Sequence, residues 1–133
     1  MRQPAPLPPI LTAHLFPKIE EMLLALLRSL TANDWERQTI APKWKVKDVA
    51  AHLLDTQLRK LSIVRDGYVL PTPPITDLIA FVNRLNQEGV SLYRRLSPPV
   101  LLSLMELASR ESVEFHRSLD PFFARRFCRE LGW

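Results

Sequence analysis

A single cysteine, Cys128, in 133 residues sets the first limit on this chain. One cysteine cannot close an internal disulfide, and without a CxxC partner it supports no zinc knuckle, so it reads as a bystander thiol. No apolar run reaches the roughly 18 residues of a membrane span, and the proline-rich start, Met1 to Pro9, lacks the charged-then-apolar layout of a signal peptide. The expected setting is cytoplasmic, with no membrane partner. Charge of either sign is not segregated: 18 Lys and Arg against 14 Asp and Glu give a net charge of +4, mixed along the chain to about residue 120. Only Arg125, Arg126 and Arg129 cluster, beside Phe122, Phe123 and Phe127. No recognisable reading module accompanies them, so a nucleic-acid partner is not expected.

What the sequence does have is helical periodicity. At 133 residues and 47% apolar content, it predicts one domain, residues 1–133, with material for one core. Residues 1–11 read as an extended proline-rich lead-in. Pro17 suits a first helical turn, where its missing N–H would have had no partner. Ile19, Met22, Leu23, Leu26, Leu27 and Leu30 then repeat at helical spacing, the strongest amphipathic signal present. His14, just before that helix, reads as solvated. From Thr31 to Lys43 the periodicity stops, and Trp35 and Trp44 are expected to pin the resulting loop to the bundle.

A second helix is expected from about Val46 to Asp66, with Gly67 as its left-handed terminator. Val46, Val49, Ala50, Leu53, Leu61 and Val64 form its inward stripe, with Gln57 near the middle in need of a buried partner or a water. Its N-cap is Lys45, which cannot accept from the free N–H groups, so a frayed start is expected with Asp48 compensating through the helix dipole. A third helix opens near Thr76 and Asp77 and carries Leu78, Val82, Leu85, Gly89, Leu92 and Leu96; Gly89 on that stripe predicts a close helix approach. Ser97 followed by Pro98 starts a fourth helix, running to about Ser118. Leu101, Leu104, Leu107, Ala108 and Phe115 are its inward set. Glu111 falls within that set and must be paired, hydrated, protonated or bound to something. Arg59 and Arg84 are the expected alternatives to a metal. His116, five residues on, is expected to face solvent.

His52 lies at the edge of the second helix's stripe, where a side chain can look across a core without being sealed in it. A ligating or basic role competes there with a half-buried histidine bonded to a carbonyl. The surrounding run, Trp44-Lys45-Val46-Lys47-Asp48-Val49-Ala50-Ala51-His52-Leu53, resembles the second-helix signature W-[ST]-V-[RK]-D-V-x-x-H-L of the DinB-like bundles. It is most similar to the N-terminal domain of mycothiol-dependent maleylpyruvate isomerases. Asp34-Trp35, Thr39, Leu61-Ser62, Arg65-Asp66-Gly67, Phe81 to Asn86 and Leu96-Ser97-Pro98 continue the resemblance in order, over residues 15 to 121. It implies an all-α, DinB/YfiT-like antiparallel four-helix bundle.

The resemblance further implies a divalent metal, zinc or nickel, held by His52, and a low-molecular-weight thiol that the metal activates toward a small organic electrophile. Glu111 is the second candidate metal ligand, and Asn86 is the polar residue expected beside the cofactor, a role that competes with a structural hydrogen bond to a loop. The family's remaining ligands, an acidic residue or histidine one turn from a histidine, are expected on a further helix. Residues 122–133 do not match one and read as an atypical basic-aromatic tail. The expected function is thus a DinB-like divalent-metal-binding protein related to thiol-dependent isomerases and transferases, with an incomplete site. The alternative is a non-catalytic helical module that buries an uncovered apolar strip in a homodimer.

Overall fold

The computed structural model describes residues 10–119. The expected basic-aromatic tail, Cys128 and most of the proline-rich lead-in lie outside these residues. After a 3-10 turn at Ala13–Leu15 come α1 (Phe16–Ser29), the single-turn α2 (Ala32–Trp35), α3 (Val46–Lys60) with a π-helical turn at Leu61–Arg65, α4 (Leu78–Tyr93) and α5 (Pro98–Ser118). Pro17 lies in the first turn of α1, and prolines occupy the first turn of α5. Both places tolerate a residue without an N–H.

The helices alternate in direction. Arg94, just past α4, reaches Asp48 at the start of α3, while Asn86, further back in α4, meets Arg59 near the end of α3. Phe16 at the start of α1 stacks on His116 near the end of α5, and Arg28 near the end of α1 reaches Glu106. The result is an up-down-up-down bundle in which α3 and α5 form the central pair, α4 packs on α3 and α1 packs on α5. Its core is Leu27, Trp35, Ala50, Ala51, Leu54, Leu101, Met105 and Ala108. Arg28 and Glu106 pair directly on the exposed surface, where such a pair adds little.

Three local expectations are corrected. The inward stripe of α3 is rotated by about one residue: Ala50, Ala51, Leu54, Gln57 and Leu61 are buried, whereas Val64 is exposed. In α4 the buried pair is Gly89 and Val90, and Leu78, Val82 and Leu92 are exposed. The α3 shift arises because that helix serves α4 on one side and α5 on the other, which spreads its contacts over more than a single stripe, while α4 packs on α3 and buries little of its own stripe. The loop before α3 is also more ordered than a break in periodicity implies. Thr31 and Asp34 cap α2 reciprocally, and an antiparallel bridge joins Gln38 to Lys45. The Gln38 amide donates to the carbonyls of Thr39, Ala41 and Trp44, closing the turn from inside.

On α5, Leu107 is exposed and Met105 is buried instead. The tryptophan and helix-end expectations match the structure. Trp35 is buried in the core, and the Trp44 indole donates to Gln87 Oε1 at 3.3 Å. Gly67 has φ +66°, the left-handed terminator of the helix. Asp77 caps α4 by accepting from the Ala80 N–H.

Candidate functional site

Asp48, His52, Asp55 and Arg59 stand at i, i+4, i+7 and i+11 and therefore share one face of α3. That face meets α4. Asp48 accepts from Arg94 at 2.9 and 3.1 Å and closes back onto the Lys45 N–H at 3.0 Å. Burial pushes the Asp48 carboxyl up, but the Arg94 and Lys45 hydrogen bonds with the charges of both residues outweigh it and hold the group below its ordinary 3.8. Asp55 accepts from Arg59 Nε at 2.7 Å, and Arg59 continues to Asn86 Oδ1 at 3.1 Å. Gly89 faces the Asp55 carboxylate with no room for a Cβ, so the expected close approach is real and its partner is a side chain.

Within this row His52 alone has no charge partner. Its Nδ1 is buried with no hydrogen-bond partner among the described residues, and its ring lies 5.0 Å from the Trp44 ring. A buried polar nitrogen without a partner is costly and points to a function or an unseen occupant. Beside Trp44 opens a groove of about 440 Å³ lined by Ala41, Pro42, Lys43, Trp44, Asn83, Asn86 and Gln87. Asn86 thus reaches both the groove and the Arg59–Asp55 pair.

Glu111 is elsewhere. It accepts from Arg65 Nη1 at 2.7 Å and its side chain is 43% exposed. The arginine is neither Arg59 nor Arg84, which the sequence offered. Arg65 lies thirteen residues beyond His52, about 20 Å along a helix rising roughly 1.5 Å per residue. The structure therefore does not bring Glu111 to His52. Among the described residues no three His, Cys, Asp or Glu side chains gather as a metal-ligand group. Asn86 lines the groove and His52 adjoins it through the Trp44 ring; Glu111 does not join them.

A second polar cluster, on the opposite side of α3, escaped sequence reasoning. Gln57 Nε2 donates to both oxygens of Glu20 at 2.8 and 2.9 Å, and Ser109 Oγ donates to Glu20 Oε2 at 2.5 Å. Gln57 Oε1 and Ser112 Oγ are buried without partners. His116 corrects the expectation of a solvent-facing ring: it is half-buried, stacked on Phe16 at 3.8 Å and 15°. Its Nδ1 donates to the Ser112 carbonyl at 2.6 Å, and its Nε2 faces Lys60 Nζ at 3.2 Å. Burial pushes the Lys60 ammonium below its ordinary value, and the Glu20 carboxylate partly opposes that. The one signal in the sequence was Gln57, a polar residue at a core position, whose partner is Glu20 of α1 and not a group near His52.

Alternating long helices, with a histidine in the second of them preceded by tryptophan and capped by an aspartate, define a DinB-like all-α bundle. Residues 16–124 match the mycothiol maleylpyruvate isomerase N-terminal domain, and the chain belongs to that family. No curated protein and no solved structure matches it.

Proposed function

We propose that this chain is a thiol-associated DinB-like domain whose divalent-metal centre is incomplete, and that its ligand-facing surface is the Trp44–Asn86 groove beside His52. The observation that supports this most directly is the unpartnered Nδ1 of His52 between two carboxylates already held by arginines. One imidazole suits zinc or nickel as a single ligand, but a stable centre needs three or four protein donors. Asp48, Asp55 and Glu111 are each neutralised by Arg94, Arg59 and Arg65. Among the described residues the donor set does not fit a resident metal, and no catalytic step is assigned to one. A low-molecular-weight thiol carrying polar groups would meet the amides of Asn83, Asn86 and Gln87 and the Trp44 ring in the groove. The reading places the chain in the cytoplasm, where small thiols stay reduced.

Calorimetric titration with a mycothiol-type thiol, in the absence and presence of zinc or nickel, tests this function. Binding that Trp44→Ala weakens at least tenfold and that added metal leaves unchanged supports it. Binding that requires stoichiometric metal overturns it.

A second reading rests on α1. Leu15, Ile19, Met22 and Leu26, spaced four, three and four residues apart, are exposed by 41–63%. That spacing makes a coiled-coil-like seam, and a homodimer through it would turn the domain into an interaction module.

A further inference from the structure

The cluster between α1, α3 and α5 contains the parts of an activated amine. Lys60 Nζ lies 3.2 Å from His116 Nε2, and His116 Nδ1 is committed to the Ser112 carbonyl at 2.6 Å. A ring that donates through Nδ1 presents Nε2 as an acceptor, so the tautomer follows from the backbone contact. Phe16 stacked on the imidazole fixes its plane, and the Lys60 ammonium lies 5.8 Å from the Phe16 centroid. Nucleophile, base and orienting group thus stand in series, the arrangement by which a side-chain nucleophile is activated. Lys60 is half-buried and reachable. Two polar atoms beside this series, Gln57 Oε1 and Ser112 Oγ, are buried without partners among the described residues.

We infer that Lys60 is a nucleophilic amine, activated by His116, that captures small aldehydes or ketones as an imine. The ammonium gives a proton to His116 Nε2, and the freed amine forms a C–N bond to the carbonyl carbon. The carbonyl electron pair moves to oxygen, which takes a proton from the newly bonded nitrogen to give the neutral carbinolamine. The His116 imidazolium then returns its proton to the hydroxyl, the C–O bond breaks, and water leaves as the nitrogen lone pair closes the C=N bond, giving the protonated imine. No oxidant or reductant is required. The titratable groups that face Lys60 are Glu20 from α1 and His116 from α5. Glu20 is held by Gln57 and Ser109, which leaves His116 as the proton acceptor. The site is separate from the His52 groove, so its failure would leave the proposed function standing.

The test is site-resolved reductive trapping of the whole chain with benzaldehyde and cyanoborohydride at pH 7, followed by peptide mass spectrometry. Lys60 is expected to be benzylated at least tenfold faster than Lys18, Lys43, Lys45 or Lys47. The excess should disappear in His116→Gln with the helical circular dichroism retained. A Lys60 rate at or below the surface lysines overturns the inference, as does an excess that survives His116→Gln. If that variant loses its helical signal, the unaltered chain decides.

Discussion

At the scale of single residues, two contacts on the α4 side of α3 dominate. Alanine at position 89 would place its Cβ on the Asp55 carboxylate, which Arg59 holds in place. Overpacking of this kind costs about 1–3 kcal/mol, which outweighs or cancels the roughly 1 kcal/mol that alanine gains over glycine in a helix. Gly89→Ala should therefore lower the denaturant midpoint, and relief by Asp55→Ala in the double variant would identify the clash. Asp48 links stability to pH. Its folded-state value lies below 3.8, so the unfolded chain takes up the proton first as pH falls. The stabilisation is whole above about pH 5 and is lost progressively below about pH 4. Asp48→Asn should cost about 1–2 kcal/mol at pH 7, since Arg94 is half exposed, and should flatten the acid limb of the unfolding curve. His52 was legible as a residue apart because a polar group at the edge of an apolar stripe is visible in sequence. The arginines that occupy its acidic neighbours were not, since Arg94 and Asp48 lie 46 positions apart and meet only through the fold.

At the scale of elements, helix ends were read better than helix faces. Pro17, Gly67, Asp77 and Ser97 are local signals, and α1, α4 and α5 begin where they indicate. Faces depend on which neighbours a helix acquires, and α3 has neighbours on two sides. The start of α3 shows both effects. Lys45 gives no side-chain cap and instead donates to Glu36 at 2.8 Å, while the Asp48 carboxylate takes the Lys45 N–H. That direct bond, rather than the helix dipole alone, secures the turn. Lys45→Ser adds the missing acceptor and should stabilise the chain by about 1 kcal/mol, because the exposed Lys45–Glu36 pair it removes is worth little. Thermal unfolding checks this, and a lowered midpoint would show that the lysine pair matters more than the cap. The Glu20–Gln57–Ser109 bonds dock α1 onto the central helices. Glu20→Ala would strand the Gln57 amide and Ser109 hydroxyl and should cost about 2–3 kcal/mol, read in a urea titration.

At the scale of the whole molecule, the bundle and its family were legible because helical period, caps and the tryptophan-to-histidine run agree with one another. The ligand arrangement was not, because it depends on side chains brought together from different helices. Glu111 looked available from its position in α5, yet Arg65 from the π-helical turn claims it. Met22→Glu tests the exposed α1 seam: if two copies pair there, the solution mass should fall from dimer to monomer with the helical signal unchanged. A monomer before substitution removes that reading.

Metal content of the purified chain, measured by elemental mass spectrometry after loading with zinc or nickel and dialysis against a weak chelator, reads the incompleteness of the centre most directly. Well below one ion per chain should remain, and His52→Ala should abolish what does. One ion per chain held through dialysis would contradict the incomplete centre and would mean that donors beyond His52 complete it.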